Sequence, residues 1–131
     1  MKFYESGDSS KPVIFLFPGT CCLYSSFDHI LDRLHSYFYT VTVSYDGFDP
    51  NEKTEFYSME DECEKIEQEI KKKYDGRIKA AYGCSLGGSF VSLLIQRKRI
   101  HLNEKLNSGF GPNARVNSSL IEITSAHIYC H

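Results

Sequence analysis

No stretch of this 131-residue chain approaches the ~18 apolar residues that a membrane-spanning helix needs. Nor does it open on a secretory leader: Met1-Lys2-Phe3-Tyr4-Glu5-Ser6-Gly7-Asp8 is polar and mixed in charge. The expectation from these absences is a cytoplasmic protein with no membrane partner. A dominant charge of one sign is missing too. Fifteen Lys and Arg against 17 Asp and Glu leave a formal charge of −2, and no aromatic residues interleave the basic runs Lys71–Lys73 and Arg97–Arg99. Nucleic acid is therefore not an expected partner. Both runs fall at predicted helix C-termini, where they complement the helix dipole. There is no C-x-x-C pair, and His29 and His35 are six residues apart, off a common helix face. No metal and no cofactor are expected. The five cysteines are expected to be free thiols.

What is present is an alternation of apolar runs and helical stripes. With 41% apolar and 24% charged residues, the composition fits one soluble domain. Val13-Ile14-Phe15-Leu16-Phe17 is a continuous apolar run, the mark of a strand buried on both faces of a parallel sheet. A helical stripe of Phe27, Ile30, Leu31, Leu34 and Phe38 follows, with Ser25 or Ser26 to cap it. Tyr39 to Tyr45 is the next strand, closing in Asp46-Gly47-Phe48-Asp49-Pro50. A second helix carries Phe56, Met59, Cys63, Ile66 and Ile70 on one side, with Ser58 and Asp61 as a capping pair. Ile78 to Tyr82 ends a further strand, and Gly88 to Arg97 is a helix with Phe90, Val91, Leu93, Leu94 and Ile95 on its apolar side. This order predicts an open, mostly parallel α/β sheet with flanking helices and right-handed crossovers.

Between that last strand and helix stands Gly83-Cys84-Ser85-Leu86-Gly87, a G-x-S-x-G pentapeptide. A phosphate loop is excluded because Gly83–Ser89 lacks the lysine of G-x-x-x-x-G-K-[ST], and a dinucleotide loop because position 85 is serine. A serine on a sharp strand-to-helix turn is exposed beside the free N–H groups and positive end of the helix, where an oxyanion is stabilised. The competing reading is a tight turn in which small residues let the helix pack on the sheet.

At these positions the chain resembles the α/β-hydrolase fold family. Phe17-Pro18-Gly19-Thr20 is similar to the loop after the family's third strand, Asp46-Gly47-Phe48 to its aspartate-glycine turn, and Gly83 to Gly88 to its nucleophile elbow. The resemblance covers roughly residues 2–110. It implies a serine hydrolase acting on a carboxylic ester or thioester through an acyl-enzyme at Ser85. The N–H groups of Leu86 and of Thr20 or Cys21 would form the oxyanion hole. Asp46 and Asp49 could touch substrate, with turn chemistry as the other account of both. Tyr24 and Phe48 could line an acyl pocket, with packing over loops as the alternative.

The family frame is cut short after its sixth strand, which His101 to Asn107 would supply. Only 24 residues, Ser108 to His131, remain, whereas each further βαβ unit takes roughly 30. No aspartate follows Asp75, and the later carboxylates are Glu104 and Glu122. Three readings stay open. Residues 1–131 form a single partial domain with an atypical tail at 114–131, apparently truncated. Or the triad is rebuilt, with His127 or His131 as base, Glu122 as acid and Leu120–Thr124 as a last strand. Or the domain is non-catalytic and binds. A truncated sheet would also expose an edge that favours self-association.

Overall fold

The structure, a computed structural model, describes residues 1–108, with residues 104–108 described by their backbone alone. Its strands are β1 (Lys2–Ser6), β2 (Val13–Phe17), β3 (Tyr39–Ser44), β4 (Arg77–Cys84) and β5 (His101–Ser108). The helices α1 (Asp28–His35), α2 (Met59–Tyr74) and α3 (Leu86–Arg97) alternate with them, and a 3₁₀ turn at Tyr24–Phe27 leads into α1. The five strands form one sheet in the order β1-β3-β2-β4-β5. All pairs are parallel except β1–β3, which is antiparallel. The open, mostly parallel sheet expected from the alternation is therefore present, with one antiparallel strand added at its edge.

The continuous apolar run of β2 has the predicted cause. Phe15 and Phe17 point to one face, where α2 and α3 contribute Cys63, Ile66, Ile70, Phe90, Val91 and Leu94. Ile14 and Leu16 point to the other, against Phe27, Ile30, Leu34 and Phe38 of the α1 segment. The period-two alternation of a strand thus supplies two cores at once. Ile14, Phe15, Leu16 and Phe17 are each at most 1% exposed, and Val13 at the start of the strand is partly buried.

Helix ends follow local chemistry at some sites and not at others. At α2, Ser58 Oγ accepts from the Asp61 amide at 3.0 Å, as the capping pair predicted. Its C-terminus closes on Asp75 in a left-handed conformation, with the Gly76 amide donating to Ile70 O at 3.1 Å. At α1 the expected caps are corrected: Ser25 and Ser26 lie inside the 3₁₀ turn, and Phe27 stands at the N-cap without a side-chain bond. Phe56 precedes α2 rather than belonging to it.

Candidate active site

The strand order creates the crevice in which the candidate residues lie. After β2 the chain turns to one neighbour, β3, by way of α1 on one face. The strand on the other side of β2 is β4, whose following helix α3 packs on the opposite face. The loops leaving the carboxyl ends of β2 and β4 therefore diverge, and ligands of open α/β sheets bind at such a switch point. The two ends are level, because Phe17 pairs with Gly83.

Ser85 occupies the junction between β4 and α3, exposed, with φ 54° and ψ −114°. That combination is sparsely populated for a residue with a side chain and costs roughly 1–3 kcal/mol, supplied by the packing around it. The flanking glycines show how. A Cβ on Gly83 would lie 2.2 Å from the Gly87 carbonyl atoms, and one on Gly87 would lie 1.9 Å from the Phe17 carbonyl oxygen. Only glycine at both positions lets β4 turn this sharply into α3 while α3 rests on β2. Ser85 O accepts from the Gly88 and Ser89 amides at 2.9 and 3.3 Å. The Leu86 amide belongs to the first turn of α3, where N–H groups have no intrahelical acceptor.

The second loop is Pro18–Cys22. A Cβ on Gly19 would stand 3.4 Å from the Cys84 carbonyl oxygen and 3.6 Å from both Ser85 Cβ and Cys22 Sγ. Gly19 is thus the close approach between the loop and the elbow. The Cys22 amide donates to Gly19 O at 3.1 Å, and Cys21, the third residue of this turn, has φ 59°. A turn closed in this way uses the Cys22 amide and not those of Thr20 and Cys21. Thr20 and Cys21 are both exposed. Tyr45, 1% exposed, donates from its hydroxyl to Pro18 O at 2.9 Å and fixes the loop from below. Burial holds the Tyr45 pKa well above its ordinary value, so the hydroxyl stays a donor. Its ring stacks on Phe90 of α3 at a centroid distance of 4.6 Å, and Phe90 stacks on Phe17 at 6.5 Å. This contact, between residues far apart in sequence, ties both loops to one aromatic stack.

Of the sequence candidates, Ser85, Leu86, Thr20 and Cys21 are brought together at the ends of β2 and β4. His127, His131 and Glu122 lie outside the described residues, as do the Leu120–Thr124 strand and the 114–131 tail. Asp49 is buried, accepting from Tyr4 Oη at 2.6 Å and from the Asn51 amide at 2.8 Å. Turn chemistry accounts for it. Tyr24 stacks on Tyr4 with centroids 3.7 Å apart, and Phe48 stacks on Phe56 at 5.7 Å. His35 Nε2 bonds Ser6 Oγ at 2.8 Å. The two basic runs are partly tied to acids, with Arg97 Nε on Glu67 at 2.6 Å and Lys73 Nζ on Glu69 at 3.1 Å. Cys21, Cys22 and Cys63 are free thiols, whereas Cys84 is disulfide-bonded, which corrects the expectation for that residue.

Asp46 belongs to a cluster that the sequence did not signal, with Asp46 and Glu62 buried and Asp61 and Lys65 partly exposed. Its Oδ2 accepts from Lys65 Nζ at 2.6 Å, its Oδ1 pairs with the Met1 ammonium, and its amide donates to Glu62 Oε2 at 3.1 Å. Burial works to raise the Asp46 pKa, but hydrogen bonds from Glu62, Lys65 and the Met1 ammonium outweigh it and hold the group well below the usual range. Glu62 is fully buried. Burial first, and then its hydrogen bond to Asp46, push it up to about 7. Asp46, Asp61 and Glu62 are the one group of carboxylates among the described residues close enough to share a metal ion. Lys65 Nζ already sits among them, 3.1 Å from Asp61 and 3.8 Å from Glu62.

No protein-family model matches the sequence, and no curated protein does. Solved structures do. An α/β hydrolase from Sphaerobacter thermophilus matches 81% of the chain with a TM-score of 0.68 at 20% identity. The chain has the α/β-hydrolase fold. Other hydrolase-fold matches include a hydrolase from Pseudomonas aeruginosa (TM-score 0.71, 19% identity, 84% of this chain) and a carboxylesterase structure from Nitrososphaera gargenis (0.72, 16%, 92%). This chain spans 39%, 43% and 45% of those three hydrolase-fold proteins, less than half of each. Among the described residues no helix is long and apolar enough to cross a membrane.

Proposed function

We propose that this chain carries the nucleophile and oxyanion machinery of a serine hydrolase acting on a carboxylic ester or thioester. The observation that carries the proposal is Ser85 itself, held exposed at φ 54° and ψ −114° between two glycines that admit no side chain. Such strain persists only where the surrounding structure enforces it, and it concentrates at working sites. Attack by Ser85 Oγ on the carbonyl would form an acyl-enzyme, with the N–H groups of Leu86 and of Thr20 or Cys21 facing the developing oxyanion. A base must take the hydroxyl proton, and His127 or His131, oriented by Glu122, is the assignment the sequence offers. The esterase among the structural matches supports an ester substrate. Residues 1–131 are one domain in this reading.

A second reading has its own observation. The chain covers under half of the matched structures, so the elbow can be present in a polypeptide with no activity of its own. One experiment separates the two. Folded protein is treated with a fluorophosphonate probe, with Ser85→Ala and denatured protein as controls. Labelling lost in both controls supports the hydrolase. No labelling of the folded protein refutes it, and equal labelling after denaturation does so as well.

A further inference from the structure

At the amino ends of β4 and β5, away from the elbow, the surface folds into a cavity of about 430 Å³. Its lining includes Lys71, Asp75, Arg77, Lys98, Arg99 and His101. Four of these carry a formal positive charge and one a negative charge, on a chain whose net charge is −2. Two turns of the same kind build the walls. One leads from α2 into β4 through Asp75 at φ 55°, the other from α3 into β5 through Lys98 at φ 53°. The His101 amide donates to Gly76 O at 2.8 Å and fixes one turn against the other. Arg77 and His101 are register partners at the first positions of the two strands. Lys71 reaches in from the last turn of α2, its Cγ 3.9 Å from where a Cβ on Gly76 would stand. β4 is eight residues long, so roughly 23 Å of strand separates this cavity from Cys84 and the elbow.

The cations here divide into committed and uncommitted groups. Lys73 and Arg97, beside the cavity in sequence, are tied to Glu69 and Glu67, and Arg99 Nη1 stands 3.7 Å from Glu67. Lys71, Arg77 and Lys98 have no ion-pair partner among the described residues. The helix dipole explains Lys71 and Lys98, which close α2 and α3. Arg77 opens a strand and has no such role. Like charges gathered round one concavity repel one another, and a bound anion relieves that repulsion. We propose that this cavity binds a small soluble compound bearing a diphosphate group. Its volume falls in the range of small-molecule sites. Arg77 offers a planar fork for two phosphate oxygens, while Lys71 and Lys98 act as point charges on the others. Asp75 offsets part of the charge, and three uncommitted cations match a diphosphate better than a single carboxylate or a neutral sugar. The site is independent of the chemistry at Ser85.

Isothermal titration calorimetry of the full chain with inorganic pyrophosphate, at neutral pH and low salt, tests the site. The expected result is saturable binding with a Kd below about 1 mM. Arg77→Gln and Lys98→Gln should each weaken it at least about fivefold, and the double variant more than either. Arg77→Lys, which keeps the charge but loses the fork, should fall between the parent and Arg77→Gln. Lys72→Gln removes the same charge from an exposed residue of α2 outside the cavity, and should change Kd by less than about twofold. Arg77, Lys98 and Lys72 are all exposed, so the variants should keep the parent's circular dichroism spectrum. No saturable binding up to about 10 mM overturns the proposal. So does parent-like binding by the Arg77 and Lys98 variants, or a loss in Lys72→Gln as large as theirs, which would mean diffuse surface charge. Inorganic phosphate binding as tightly as pyrophosphate overturns the diphosphate assignment.

Discussion

Replacing Glu62 by glutamine should remove a pH dependence of stability between pH 5 and 8. Glu62 is a fully buried carboxyl on α2, faced by Asp46 at the end of β3, by Asp61 and Lys65 on its own helix, and by the Met1 ammonium through Asp46. Its pKa is raised from 4.5 to about 7. In that window the folded chain binds a proton that the unfolded chain has released, so stability falls as pH rises and levels off above about 7. A rise of that size corresponds to about 3 kcal/mol, at about 1.4 kcal/mol for each tenfold change in proton affinity. Asp46 acts in the opposite sense. Its depressed pKa contributes stability above its ordinary 3.8 that is lost only as pH falls below it, outside this window. Glutamine keeps the shape and the oxygen that accepts from the Asp46 amide, but it has no proton to release. Urea denaturation of both proteins at pH 5 and pH 8 provides the comparison. The two should be similar at pH 5, and Glu62→Gln should be more stable at pH 8 by roughly 2–3 kcal/mol. An equal gap at both pH values would refute the argument, because it would mean that Glu62 releases no proton in this range.

Two further outcomes follow from the packing of the elbow. Gly87→Ala puts a methyl 1.9 Å from the Phe17 carbonyl oxygen, a backbone atom that cannot swing aside, and should destabilise by about 3 kcal/mol or prevent folding. A loss under about 1 kcal/mol in urea denaturation would contradict the contact between α3 and β2. Tyr45→Phe leaves the buried Pro18 carbonyl without its 2.9 Å donor and should cost about 1–3 kcal/mol. Faster amide exchange at residues 19–22 should accompany it, and unchanged exchange there would show that the loop is held by other contacts.

The fold was legible where burial wrote itself into the residue pattern. Val13–Phe17 pointed to a strand covered on both faces, and Gly83-x-Ser85-x-Gly87 marked a sharp turn whose glycines prove to have no room for a Cβ. β1 carried no such mark, because Lys2–Ser6 pairs on one side only and its residues stay partly exposed. Ser25 and Ser26 looked like caps, but a 3₁₀ turn took them up and moved the helix start past them. Glu62 was hidden for another reason. It lies one position from Cys63 and four from Ile66 on the packed side of α2, where a glutamate is expected to be solvated. The Tyr45–Pro18 contact joins residues with no local relation, so no periodicity could announce it.

The proton of Ser85 is the step on which the functional reading turns. Everything assigned to the oxyanion lies between Phe17 and Gly88. The carboxylates at the neighbouring strand end are committed elsewhere: Asp46 to Lys65 and the Met1 ammonium, Asp49 to Tyr4 and Asn51. His35 is bonded to Ser6, and His101 begins β5, the strand end away from the one level with Cys84. In the serine reading the base is His127 or His131, or it lies outside residues 1–131. A positioned base contributes on the order of 10²–10⁴ to rate. If one of the two histidines serves, His127→Ala or His131→Ala should slow fluorophosphonate labelling of Ser85 by about that factor while Ser85 stays exposed. If both variants label as fast as the parent chain, the tail supplies no base and the rebuilt triad of His127 or His131 with Glu122 is refuted.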